Sequence, residues 1–85
     1  MKRIKYSDYN PSMGVLINIE DPITYLDKIE EKSINIPFEK LLFHHKDYLN
    51  LNEPYYIICS KGVKSRKAVN ILEFYGYDVT QVYIE

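Results

Sequence analysis

The chain has 85 residues, enough for one domain built on one core, so residues 1–85 read as a single domain to which nearly every apolar segment must contribute. A composition that is 46% hydrophobic and 27% charged excludes the low-hydrophobicity class of disordered chains. The formal net charge of -1 excludes a general nucleic-acid binder, which would carry a marked excess of Lys and Arg.

Met1-Lys2-Arg3-Ile4-Lys5-Tyr6 has no apolar stretch resembling a signal peptide, and no apolar run approaches the ~20 residues of a membrane span. A single cysteine makes neither an internal disulfide nor a thiolate-rich zinc site. The expectation is a cytoplasmic protein with no membrane partner and no nucleic-acid partner.

In chain order, Val15-Leu16-Ile17-Asn18-Ile19 is a nearly continuous apolar run of the kind that forms a strand buried on both faces. Residues Ile23 to Glu31 predict a brief helix. Ser33-Ile34-Asn35-Ile36 is a shorter strand stopped by Pro37, which suits an edge or outer position. Phe38 to Leu49 predicts a helix with Leu41, Leu42, His45, Tyr48 and Leu49 on one face. Tyr55-Tyr56-Ile57-Ile58-Cys59 repeats the buried-strand pattern. Lys64 to Tyr75 predicts the clearest helix, with a stripe of Ala68, Val69, Ile71, Leu72 and Tyr75 and a stop at Gly76. Val79 to Ile84 is a last strand, again read as edge or outer. Strand, helix and strand alternate, so the expected class is α/β, a layered domain with a central, mostly parallel sheet of four to five short strands, joined by right-handed crossovers.

Chemistry concentrates after Ile58. Cys59 falls at the carboxyl end of a central strand and Ser65 near the start of the next helix, the end of an α/β sheet where ligand sites usually form. Successive backbone N–H groups in a tight turn before a helix can converge into an anion-binding cup, and Gly62 allows the backbone to approach closely. From Pro54 through Leu72 there is no Asp or Glu, whereas Lys61, Lys64, Arg66 and Lys67 all lie there. That local polarity can draw in an anionic substrate and favour a negatively charged sulfur. Taken alone, a lone cysteine at a strand end is more often a small buried hydrophobe, and Arg66 and Lys67 on an amphipathic helix are partly its solvated face. Lys61 and Lys64, inside the turn, are less easily read that way.

The strand followed by Cys59-Ser60-Lys61-Gly62-Val63-Lys64-Ser65 and a helix resembles the active-site loop of rhodanese-type sulfurtransferases. The resemblance extends over residues 14 to 84: Leu16-Ile17-Asn18-Ile19 is similar to the family's first buried strand, Ile34-Asn35-Ile36-Pro37 to a strand-ending segment, and Ile71-Leu72 through Gly76-Tyr77 with Val82-Tyr83 to its helix-glycine-strand ending. The resemblance implies a rhodanese-like three-layer domain with helices on both faces of the sheet. It implies that Cys59 takes a sulfane sulfur from a small anionic donor such as thiosulfate, becomes a persulfide, and passes the sulfur to a thiol or cyanide acceptor or to another sulfur-trafficking protein. Backbone N–H groups of residues 60 to 64 would hold the terminal sulfur, Lys61 and Lys64 would steer the donor, Arg66 would add electrostatic support, and Ser65 would bond the sulfur or cap the helix. No cofactor is implied. Where many members carry Asp-any-Arg after the first strand, Asn18 and Glu20 stand here. The family's Gly-His-Ile and Gly-Ala approach to the middle strand is replaced by residues 28–33.

Two other function classes compete. A rhodanese-like module could bind a partner or sense oxidants through its thiol, although no second cysteine resolves a sulfenic acid within the chain. Phosphatase or arsenate chemistry of fold-mates needs an arginine six residues after the cysteine, where Ser65 stands, and Arg66 is turned about 100° away on a helix. His44 and His45 are adjacent and diverge on a helix, so no metal site is expected. The nine tyrosines read as core and rim packing, and Asp8, Asp21 and Asp27 form no paired-carboxylate arrangement.

Overall fold

A computed structural model describes residues 1–21 and 33–84. The five strands are β1 (Lys2–Lys5), β2 (Val15–Asn18), β3 (Ser33–Asn35), β4 (Pro54–Ile58) and β5 (Asp78–Tyr83), and the helices are α1 (Phe38–Phe43), α2 (His45–Tyr48) and α3 (Val63–Phe74). The predicted helix from Ile23 to Glu31 lies outside the described residues.

The sheet runs β1-β5-β4-β2-β3 and every pairing is parallel. The expected α/β class and central parallel sheet are therefore what the chain adopts. β4 is central, as its apolar run requires, and β2 lies beside it. β3 takes the predicted edge. β5 corrects the expectation: it sits between β1 and β4, with Val79, Thr80, Gln81 and Val82 all buried. The reason is β1, a strand of Lys2, Arg3, Ile4 and Lys5 too polar to announce itself, which pairs with β5 and takes over that edge. Lys2 forms an ion pair with Asp78 across this pairing. Charged residues on a short edge strand also discourage pairing with further chains.

Register divides the sheet into two faces. Ile17 and Ile57 lie in one row with Gln81 and Arg3, while Leu16, Tyr56 and Thr80 lie in a row on the other face. The first face carries the main core, where Ile17, Tyr55, Ile57 and Val79 pack with Leu41, Leu49, Ala68, Val69 and Leu72 of the helical side. The opposite face carries a smaller cluster of Leu16, Ile58 and Val82, packed by Ile4, Tyr6, Tyr9 and Tyr56. Tyr6 and Tyr9 come from the segment between β1 and β2, which contains two short 3-10 turns.

The predicted helix from Phe38 to Leu49 is two short helices broken at His44, whose φ of −126° and ψ of 31° leave the helical region. Its Leu41 and Leu49 are buried as predicted, whereas Tyr48 is exposed. His45 stacks on Tyr75, and its Nδ1 lies 2.7 Å from the Tyr77 hydroxyl. In α3 the buried stripe is Ser65, Ala68, Val69 and Leu72, at spacings of three and four. Ile71 and Tyr75 lie outside it and are exposed. The helix stops as predicted: Gly76, at φ 96°, donates to the Glu73 carbonyl and Tyr77 donates to that of Leu72, the paired bonds of a Schellman motif. Among the described residues no helix is long and apolar enough to cross a membrane.

Candidate active site

Residues 59–62 form the link between the carboxyl end of β4 and the first turn of α3. Gly62 is the hinge of that link. Its φ of 79° is left-handed, a conformation costing other residues about 1–2 kcal/mol, and it lets the chain turn sharply into the helix. The Gly62 carbonyl is then held from three directions: by the Arg66 amide at 3.1 Å, the Ser65 hydroxyl at 3.2 Å and the Gln81 side-chain amide at 2.9 Å. Gln81 also donates to Ser65 Oγ at 3.0 Å. A buried glutamine on the neighbouring strand thus fixes both the glycine and the first turn of the helix.

Cys59 points into the main core and is only 3% exposed. Its sulfur accepts a hydrogen bond from the Ser65 backbone N–H at 3.2 Å. Among the described residues, none of the amides of residues 60 to 64, expected to hold the terminal sulfur of a persulfide, donates to the Cys59 sulfur itself. The amide that reaches the sulfur belongs to Ser65, and the Ser60 amide goes elsewhere, to Glu20 Oε1 at 2.6 Å. Between them, the amides of Lys61, Gly62, Val63 and Lys64 meet no acceptor among the described residues. Ser65 neither caps the helix nor turns its hydroxyl to the sulfur; that hydroxyl donates to Gly62.

Glu20 is the residue the sequence noted only as a departure from a family pattern. Its Oε1 also accepts the Ser60 hydroxyl at 2.7 Å. The Ser60 amide holds the Glu20 carboxyl below the ordinary glutamate range, helped by the Ser60 hydroxyl and the Lys64 charge, with burial working the other way. Lys64 is exposed on the first turn of α3. The end of β2 that carries Glu20 is braced by amides: Asn18 Oδ1 accepts the Glu20 N–H, and Asn35 Nδ2 donates to the carbonyls of both Asn18 and Glu20, each at 2.9 Å. A neutral pair of asparagines thus spans β2 and β3 at the position where an Asp-any-Arg signature was missing.

Lys61, Arg66 and Lys67 are all exposed and line a groove together with Arg3 of β1. Ser60, Gly62 and Val63 of the cysteine loop line the same groove, whereas the buried Cys59 does not. Gln81 and Arg3 were missed by sequence reasoning. The available signal was a polar residue in the middle of Val79-Thr80-Gln81-Val82, on the inward side of an apolar strand.

Neither a family model nor a curated protein matches the sequence. Solved structures do. A rhodanese-related protein of Thermoplasma volcanium is 25% identical with a TM-score of 0.86, the match covering 98% of this chain and 84% of that one. A Staphylococcus saprophyticus protein is 27% identical over 98% of this chain and 87% of its own, with a TM-score of 0.84. A rhodanese-like domain protein of Staphylococcus aureus is 26% identical over 98% and 85%, with a TM-score of 0.83. The parallel α/β fold and these likenesses agree: the chain has a rhodanese-like fold.

Proposed function

We propose that this domain carries sulfane sulfur on Cys59. The Cys59 thiolate attacks the outer sulfur of thiosulfate or a similar anionic donor. A new S–S bond forms, the donor's own S–S bond breaks, and sulfite leaves with the bonding pair. A thiol, cyanide or a sulfur-trafficking protein then attacks the terminal sulfur of the persulfide, and the thiolate returns as leaving group. The observation that carries this reading is the Ser65 amide donating to Cys59 Sγ at the end of the central strand. It supplies one fixed dipole to a charged sulfur, and the unengaged amides of Lys61 to Lys64 are candidates for the terminal sulfur of a persulfide. Cys59 is 3% exposed and packs in the main core.

That same burial favours one other reading, in which the cysteine is a core residue of a rhodanese-like binding module. The two are separated by intact-mass measurement after incubation with thiosulfate. Sulfur transfer requires a one-sulfur adduct on the wild type, none on Cys59→Ala, and its discharge by cyanide. No adduct on the wild type assigns the domain to the binding class.

A further inference from the structure

A groove of about 720 Å³ lies beside the cysteine loop, where Arg3, Lys61, Arg66, Lys67, Asn70 and Tyr83 contribute to the walls. On α3 its residues Val63, Arg66, Lys67 and Asn70 recur at spacings of three and four, so one helical face lies against it, distinct from the buried stripe. Four cationic side chains line it and no Asp or Glu does.

Among the described residues, none of Arg3, Lys61, Arg66 and Lys67 pairs with a carboxylate. In a chain of net charge -1 that arrangement is not a product of composition. Neighbouring cations repel, and nothing in the described fold offsets them. Arg3 is furthermore prepositioned. Its Nε donates to Gln81 Oε1 at 3.1 Å and its guanidinium lies 4.5 Å above the Tyr83 ring, which leaves the two terminal amino groups for another acceptor. Gln81 is itself 2% exposed and anchored to Gly62 and Ser65, so the guanidinium rests on a rigid support. A side chain ordered in advance loses less entropy on binding.

The geometry points to a site that abuts the cysteine loop at Ser60 to Val63, a groove that binds a small molecule carrying two or more oxyanionic groups, of the class of condensed phosphates and organic polyphosphates. Guanidinium groups match such oxygens in pairs, and the lysines add charge without directional demand. The volume lies within the roughly 300–1,000 Å³ of small-molecule clefts and far exceeds the needs of one tetrahedral anion. The inference concerns binding alone, so it stands or falls separately from sulfur loading on Cys59.

Titration calorimetry of the reduced 85-residue chain with sodium tripolyphosphate tests it, with a hexaglutamate peptide as the second arm. The expected result is saturable one-to-one binding of tripolyphosphate, weakened about tenfold by Arg66→Gln or Lys67→Gln, each removing one charge-assisted contact. Both residues are exposed, so the fold is retained. Lys64→Gln makes the same change in net charge outside the groove and leaves the affinity within about twofold. Equal weakening by Lys64→Gln and Arg66→Gln would mean diffuse attraction and overturn the site. So would no binding of tripolyphosphate, no effect of the groove variants, or tighter binding of the peptide, which would make the groove a protein-docking surface.

Discussion

The Glu20 carboxylate is tied to Ser60 through one oxygen, Oε1, which accepts both the backbone N–H and the hydroxyl of that residue. A glutamate from the end of β2 thereby occupies the first amide of the cysteine loop. Because the Ser60 bond lowers the carboxyl's pKa in the folded state, the stabilisation is present above the ordinary glutamate value of about 4.3 and is lost as pH falls through the depressed folded value. Urea midpoints followed from neutral pH into that acid range should fall more steeply for the wild type than for Glu20→Gln, which keeps an acceptor but does not titrate. Identical slopes would show that the bond contributes nothing to folding.

Glu20 also places a negative charge beside a loop proposed to receive an anionic donor. Glu20→Ala removes that charge and frees the Ser60 amide, so the rate of thiosulfate loading on Cys59 is expected to rise. A rate that falls would instead make Glu20 a positioning residue for the loop.

The two faces of α3 separate sharply in energy. Leu72 is fully buried against the sheet, whereas its neighbour Ile71 is 40% exposed. Leu72→Ala should cost about 2–5 kcal/mol by removing packed atoms and leaving a cavity, and Ile71→Ala less than about 1 kcal/mol. Thermal or urea unfolding of the pair measures the difference directly, and comparable losses would place the stripe where the sequence put it.

The legible parts of this fold are those where one physical signal dominates. Val15–Ile19 and Tyr55–Cys59 are apolar on both faces, so their central positions could be read without a structure. Gly76 could be read as a helix stop because a left-handed residue was needed there. Ile71 and Tyr75 misled because both are apolar and near the stripe, and the 100° step per residue places them just off it. β1 was not legible, since a strand of Lys2, Arg3, Ile4 and Lys5 is specified by its pairing with β5 and not by its own pattern. In the site, the cysteine and its turn were readable from order along the chain. The Glu20–Ser60 and Gln81–Gly62 bonds join residues distant in sequence, and only the strand order brings them together.

Two glycines fail differently when given a side chain. A Cβ on Gly62 meets nothing closer than Gln81 Nε2 at 3.6 Å, so the cost of Gly62→Ala comes from its left-handed φ, about 1–2 kcal/mol, and Gly62→Asn should recover part of it. A Cβ on Gly14 would lie 2.6 Å from the Pro54 carbonyl oxygen, a backbone atom that moves only with β4. Gly14→Ala and Gly14→Asn should therefore be equally damaging. Unfolding measurements on the four variants check this, and rescue by asparagine at Gly14 but not at Gly62 would reverse the assignment.

Gln81 joins three elements at once: Nε2 donates to Gly62 and to Ser65 of α3, and Oε1 accepts from Arg3 of β1. Gln81→Leu retains most of the volume and orphans little, because Gly62 keeps the Arg66 amide and the Ser65 hydroxyl as donors. Its cost is expected at about 1–3 kcal/mol. Gln81→Glu should be worse although it places a carboxylate beside Arg3. A carboxylate oxygen has no proton to offer the Gly62 carbonyl, so two oxygens meet where a hydrogen bond stood, in a position almost closed to water. Urea denaturation near neutral pH orders the variants as wild type, then Leu, then Glu. A Glu variant more stable than the Leu variant would show that the Arg3 contact outweighs the loop anchor, and that Gln81 serves β1 first.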